Sequence, residues 1–340
     1  MSSIFSEAQD LLEYSRRLRR DFHLHPELGF QEVRTAGIVA AELRQLGLEV
    51  TTGVGKTGVV AILKGTGPGP VVMLRFDMDA LPIQEQTSAE YASQNAGVMH
   101  ACGHDGHVAI GLTVARLLHQ RRHQFKGTVK FIFQPAEEGM GGAESMIADG
   151  VLENPKPEVC FGVHVWNERP LGWVAVSSGP FMAGSETFTI HLTGRGGHGA
   201  LPHTTIDPVL ASAQIISALQ SIVSRNISPL QAAVVTVAVV KAGDAFNIIT
   251  HTAELRGTIR TFEPEVREKV IARFHEVVNG IAASTGCQAF IEMQALTPAV
   301  INDPVVALKA AAALAVDLPD LKIETTFKSM VSEDMAYYLQ

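Results

Sequence analysis

Apolar residues recur at helical spacing over residues 6–22, and Thr35 to Leu46 repeats that pattern before Gly47 closes it. The texture then shifts. Gly58 to Leu63 and Val71 to Phe76 are short β-rich runs separated by the turn cluster Lys64-Gly65-Thr66-Gly67-Pro68-Gly69-Pro70. The pattern next predicts a helix from near His107 to His119 and a strand over Thr128 to Gln134. A helix over Ala143 to Asp149 and a strand over Val159 to Val165 follow. Apolar strands alternating with helices predict an α/β layer, its sheet mostly parallel and its helices on both faces.

From about Ser185 the pattern changes. Glu186 to Leu192 alternates like a half-buried strand, and Pro208 to Ser224 is a long apolar-striped helix. Ala233 to Val240 and Ala253 to Arg260 read as strands, Glu265 to Ser284 as a helix and Gln288 to Met293 as a last strand. This β-α-β-β-α-β order is the ferredoxin-like α+β pattern. It predicts a domain over residues 185–296 inserted into a first domain, which comprises residues 1–184 and resumes over 297–340.

Length and composition fit two such domains, each able to bury its own core. With 46% apolar and 18% charged residues the chain is not disordered in bulk. A formal charge of -8, with Lys and Arg mostly scattered, argues against a nucleic acid as partner. Arg16-Arg17-Leu18-Arg19-Arg20 and Arg121-Arg122 read as solvated helix faces. Cys102, Cys160 and Cys287 lie far apart, which fits a reducing compartment better than a disulfide framework. Met1 to Asp10 has neither a basic nor an apolar region of the kind a signal peptide needs. The longest apolar stretch, Ala232 to Val240, is far short of the roughly twenty residues of a membrane span. A cytoplasmic protein with no membrane partner is expected.

The candidate chemistry falls just past strand ends, where an open α/β sheet presents its ligand groups. His100-Ala101-Cys102-Gly103-His104-Asp105-Gly106-His107 gathers a thiol, three imidazoles and a carboxylate. A hydrolytic metal site needs several such N, O or S donors and one open position. A lone cysteine is usually a small buried hydrophobe, but Cys102 stands one residue from His104 beside a glycine. His100 and His107 are weaker candidates, and His107 divides evenly between packing and support of a ligand. In Gln134-Pro135-Ala136-Glu137-Glu138-Gly139, neighbouring carboxylates point different ways, so one can bind metal while the other faces substrate. Like charges that close raise one pKa, which suits a general base that later acts as acid. His164 ends an apolar strand. Asp77 and Asp79 read as outer partners that orient a histidine ligand. His23-Leu24-His25-Pro26-Glu27 is ambiguous between site lining and a turn. Gly194 to His203 is a glycine-rich loop with two histidines and no phosphate-loop ending. Asn247, Arg256 and Arg260 lie in or near strands; an arginine there can clamp a carboxylate or form a surface ion pair.

These residues together resemble the aminoacylase/glutamate-carboxypeptidase superfamily of dinuclear metallohydrolases. The nearest branch is that of hippurate hydrolases and plant hydrolases of indole-acetyl-amino acid conjugates. The resemblance rests on Arg20 to Phe30, Asp77 to Pro82, Met99 to His107, Phe133 to Gly139, Gly194 to His203 and Ser332-Glu333-Asp334, in order along the whole chain. The Cys-Gly-His-Asp motif is particular to this branch. The resemblance implies Cys102, His104, Glu138 and His164 as metal ligands and Glu137 as the general base toward a metal-activated water. Two divalent transition metal ions per subunit would follow, manganese or zinc, with cobalt or nickel as alternatives. It implies a homodimer formed through the inserted lid domain, with His198 stabilising the oxyanion and Asn247 and Arg260 holding the substrate carboxylate. The expected reaction is hydrolysis of the amide of small N-acyl-L-amino acids such as hippurate. A dipeptidase of the same superfamily is the alternative in substrate.

Members of the branch continue past Ser332-Glu333-Asp334 and carry a further histidine ligand there. The resemblance therefore implies a fragment or truncated frame with an incomplete second part of the first domain. A catalytically impaired homologue that retains the dimerisation domain is the alternative in function.

Overall fold

The computed structural model describes residues 4–340, so Met1 to Ser3, at the start of the stretch read for a signal peptide, lie outside it. The chain divides into two compact units. The first comprises Met1–Ser178, Asn302–Phe327 and Asp334–Gln340, and the second Gly179–Ile301 and Lys328–Glu333.

The first unit opens with α1 (Ile4–Asp10) and α2 (Leu12–Leu24), which share the predicted helical stretch but part at Leu11. Helix α3 (Val33–Gln45) stops where Gly47 takes a positive φ of 75°. Strands β1 (Glu49–Val54), β2 (Gly58–Lys64) and β3 (Val71–Asp77) follow, then α4 (His104–Gln120), β4 (Thr128–Gln134), α5 (Gly142–Ala148) and β5 (Val159–Gly162). The sheet order is β1-β2-β4-β3-β5.

That sheet is mixed, which corrects the expectation of a mostly parallel one. Strands β3 and β4 run parallel, as do β3 and β5, whereas β1–β2 and β2–β4 are antiparallel. The reason lies in the connections. Helix α4 crosses over between β3 and β4, which a parallel pair requires. Strand β1, absent from the sequence reading, meets β2 through residues 55–57, a link too short for anything but a hairpin.

Successive residues of the sheet serve opposite faces. Val59, Ala61, Leu63, Phe131 and Phe133 share one core with Phe22 of α2, Val39 and Leu43 of α3, and Val108 and Leu112 of α4. The alternate residues Val60 and Ile132 pack with Met73, Met146 of α5, and Met335 and Tyr338. Burying each such Leu or Phe side chain contributes about 1.5–3 kcal/mol. These layers leave the carboxyl ends of β3 and β4 together, and the candidate site is built there.

The second unit carries β6 (Gly184–Thr193), α6 (Pro208–Ser221), β7 (Ala233–Ala242), β8 (Thr252–Thr261), α7 (Pro264–Thr285) and β9 (Gln288–Thr297). Its sheet is antiparallel in the order β7-β8-β6-β9. Helix α6 starts cleanly because the Asp207 carboxylate accepts the Val209 and Leu210 amides, with Pro208 in the first turn. Both helices pack on one face of the sheet through Ile215, Leu219, Val270 and Phe274, against Phe188, Ile190, Leu255 and Ile259.

Candidate metal centre

Helix α4 begins three residues earlier than the sequence pattern suggested, at His104 rather than His107. The cause is Gly103, whose φ of 90° is open to glycine and closes the turn directly after Cys102. His104 therefore stands in the first helical turn, fully buried, while Cys102 remains in the loop before it. Strand β5 also ends earlier than expected, at Gly162, and His164 lies just beyond it.

Hydrogen bonding assigns the ring nitrogens. His104 Nδ1 donates toward the Asp79 carbonyl at 3.0 Å and the Asp79 carboxylate at 3.1 Å. Its Nε2 is buried and has no hydrogen-bond partner among the described residues. His164 Nδ1 donates to the Val165 carbonyl at 2.7 Å, and its Nε2 lies 3.4 Å from Cys102 Sγ. His107 differs. Its Nε2 accepts the Val165 amide at 2.9 Å and its Nδ1 donates to Asp77 at 2.5 Å. Both nitrogens of His107 are thus engaged, which makes it a support of the site.

Ligand atoms of Cys102, His104 and His164 lie within 4.8 Å of one another, as do those of His104, Glu137 and Glu138. The two groups share His104. Asp79 links them further, because its second carboxylate oxygen accepts the Glu138 amide at 3.0 Å. The Glu138 Oε1 is buried without a hydrogen-bond partner among the described residues. Glu137 Oε1 accepts the Asp334 amide at 3.2 Å.

The charge state of these donors fits a cation. Burial pushes the Cys102 thiol up, and the carboxylates of Glu138 and Asp77 add to it against the pull of His104. Burial likewise raises Glu138, with Asp79 and Asp77 adding to it. At His104 burial opposes protonation, but Asp77, Asp79 and Cys102 outweigh it and raise the pKa well above the usual imidazole value. A half-buried thiol and carboxylate that both resist ionisation are short of positive charge, and divalent ions would supply it. The orphaned His104 and Glu138 atoms point to the same class of occupant.

Behind the site lies a buried polar network in which the sequence reading had given a role to Asp77 alone. Arg75 donates to Asp77 at 2.5 Å, to Asp334 at 2.7 Å and to Gln134 at 2.8 Å. Gln134 donates to both oxygens of Asp334, which also accepts the Ala143 amide at 3.0 Å. Burial would raise Asp77, yet His104, Arg75 and His107 hold it well below the usual carboxylate range. The signal was an arginine and a glutamine near the carboxyl ends of strands rich in apolar residues.

Three other candidates sit apart from the ligand groups. His23 is tied to Asp105 at 2.7 Å, and His25 Nδ1 donates to the Asp21 carbonyl at 2.9 Å. His100 is buried, and burial pushes its imidazole down to about 4. Arg19, read as part of a solvated face, instead reaches the buried Asp105 at 2.7 Å.

The sequence model of peptidase family M20/M25/M40 matches residues 73–340. The chain belongs to that family. An N-acetylcysteine deacetylase of Bacillus subtilis is 48% identical to this family member over 287 residues, 84% of this chain and 75% of that relative. An IAA-amino acid hydrolase of Arabidopsis thaliana is 43% identical over 289 residues, 85% of this chain and 65% of the plant protein. A crystal structure from Bacillus subtilis, described as a dinuclear metal binding peptidase from the M20 family, superimposes with a TM-score of 0.83 at 40% identity. It covers 97% of this chain and 86% of that one. The family resemblance read from the motifs is thereby shown.

The second unit of this M20 protein holds the remaining candidates. Gly197–His198 pairs with Ile248–Ile249, and the Asn247 carbonyl accepts the Gly199 amide at 2.8 Å, so His198 and Asn247 stand on adjoining segments. Arg260 is in β8, half-buried, with Nη1 on the Thr258 hydroxyl, and burial lowers its pKa. Arg256 pairs with Glu254 at 2.6 Å on the surface. Among the described residues no helix is long and apolar enough to cross a membrane.

Proposed function

We propose that this chain is a metal-dependent amidohydrolase that cleaves the amide of small N-acyl-L-amino acids, hippurate-like compounds among them. The observation that carries the reading is the pair of donor groups meeting at His104, with buried nitrogen and oxygen atoms left unpartnered between them. Cys102, His104, Glu138 and His164 would hold two divalent transition metal ions. The mixed S, N and O donors suit manganese, zinc, cobalt or nickel better than magnesium or calcium. Such ions would polarise the amide carbonyl and lower the pKa of water at the site.

In this reading Glu137 takes a proton from the attacking water and delivers it to the amide nitrogen as the C–N bond breaks, releasing acid and free amino acid. The Asp334 amide orients that carboxylate. Asp79 fixes His104 and so sets which of its ring nitrogens faces the donors, while Asp77 holds the supporting His107. His198 serves as the oxyanion partner, and Asn247 with Arg260 takes the substrate carboxylate. The relatives' names support the substrate class: N-acetylcysteine and an IAA-amino acid both carry an acyl group on an amino acid nitrogen.

The residues 185–296 act as a dimerisation and lid domain, inserted between catalytic parts 1–184 and 297–340. Support comes from β7, an edge strand of its sheet that exposes Val239 and Val240. A homodimer in the cytoplasm completes the proposal, in keeping with three free cysteines.

The decisive test is Glu137→Gln, assayed with metal content on the same samples against N-acetylcysteine, hippurate and dipeptides. Turnover should fall about 10²–10⁴-fold while bound metal stays at the wild-type level. Wild-type turnover in that variant, or no metal in the native chain, would refute the assignment. Faster cleavage of dipeptides than of acyl-amino acids would move the substrate class.

A further inference from the structure

The segment from Glu27 to Thr35 holds none of the metal-ligand candidates, yet it wraps the turn that carries two carboxylates of the site. Glu27 accepts the Arg34 and Thr35 amides at 2.9 and 2.8 Å and so fixes the start of α3. Gly29 lies against Ala136: a Cβ at Gly29 would stand 2.8 Å from Met140 Sδ and 3.1 Å from Ala136 Cα. Glu32, fully buried, accepts the Ala136 amide at 2.9 Å on one oxygen and the Thr57 hydroxyl at 2.6 Å on the other.

Ala136 is the residue under constraint. It is buried, it precedes Glu137, and its φ is 52°, a left-handed conformation that side chains with a Cβ adopt rarely. Its carbonyl accepts the Gly142 amide at 3.0 Å, so hydrogen bonds hold the residue at both ends. A buried carboxylate is costly unless its oxygens are satisfied, and Glu32 satisfies one of them on this strained amide.

We propose that Glu32 is a positioning residue for Glu137: its carboxylate holds Ala136 in the left-handed conformation that turns Glu137 and Glu138 to separate tasks. The inference rests on the function proposed above for those two carboxylates. Glutamine at position 32 keeps an oxygen for the Ala136 amide and can donate its NH₂ to Thr57 Oγ1. Alanine removes both contacts. Glycine at position 136 reaches a positive φ without the Cβ penalty and so needs the clamp less.

The test compares Glu32→Ala, Glu32→Gln and the double variant Glu32→Ala/Ala136→Gly. Three readouts are taken: kcat and KM on hippurate, bound metal per chain, and hydrogen exchange of the Ala136 amide. In Glu32→Ala, kcat should fall about 10–100-fold with KM little changed, and the Ala136 amide should exchange faster. Glu32→Gln should retain most of kcat and the protection, and Ala136→Gly should restore part of the kcat lost in Glu32→Ala. A folded Glu32→Ala with wild-type kcat and wild-type protection would overturn the proposal. So would a loss of kcat that neither glutamine nor Ala136→Gly mitigates. If Glu32→Ala does not fold, Glu32→Asp, which draws the carboxylate back by one methylene, replaces it with the same outcomes. An inert wild type or an active Glu137→Gln would count against the proposed reaction, and the exchange of Ala136 would then decide the clamp by itself.

Discussion

The two units bury very different material. At the heart of the second, Phe188, Ile190, Leu192, Leu255 and Phe274 form an apolar core, and the ion pair Arg256–Glu254 stays at the surface. The first has a comparable apolar core but also buries Arg75, Asp77, His104, His107, Gln134 and Asp334 at the carboxyl ends of β3 and β4. Burying charge is costly unless every partner is in place. Stability alone gives no reason for that arrangement, whereas holding donors for a cation does. The second unit also buries a carboxylate, Glu186, but pairs it with the half-exposed Arg267 at its rim, so it is a connected cluster of buried charges that marks the working region.

Two core substitutions of similar size should separate these roles. Arg75→Met leaves the Asp77 and Asp334 carboxylates buried without their arginine and should cost about 3–5 kcal/mol, with bound metal falling too. Phe274→Ala empties a fully buried site whose ring lies tilted against Phe188, with centroids 4.5 Å apart. It should also cost about 3–5 kcal/mol, but with bound metal per folded chain unchanged. Denaturant titration with metal analysis reads both. Equal metal loss in the two variants would break the comparison.

A smaller effect concerns pH. Burial raises the Cys160 thiol of β5 from 9.0 to about 11, against the pull of Lys130. Above pH 9 the unfolded chain gives up this proton while the folded one keeps it, so stability is full below 9 and falls as pH rises toward 11. Cys160→Ala should flatten that part of the alkaline stability curve; an unchanged slope would contradict the burial argument. Smallest of all is the surface pair of the second unit. Arg256→Ala should change stability by no more than about 1 kcal/mol, and a larger loss in thermal unfolding would show the pair to be less solvated than it stands here.

How much of this was legible beforehand differs by element. Strand β4 matched its predicted range because an apolar run between Gly127 and Pro135 has clear ends. The onset of α4 was missed because the helical stripe of apolar residues starts only after the functional ones. Periodicity reports burial, and His104 is buried for a different reason than Val108 is. The hairpin strand β1 was invisible because its side chains are mostly exposed, so no alternation marks it.

The amino-acid sequence by itself determined the alternation of strands and helices, the β-α-β-β-α-β order of the second unit and the donor types clustered near strand ends. These follow from local spacing, because side-chain periodicity and turn chemistry act over a few residues. Only the tertiary structure decided that the first sheet is mixed and that His107 supports the site with both nitrogens engaged. It also joined Arg75 to Asp334 and Glu32 to Ala136 across long stretches of chain. Such pairings depend on which buried polar groups meet when layers pack, and a buried donor or acceptor must find a partner wherever the fold puts one.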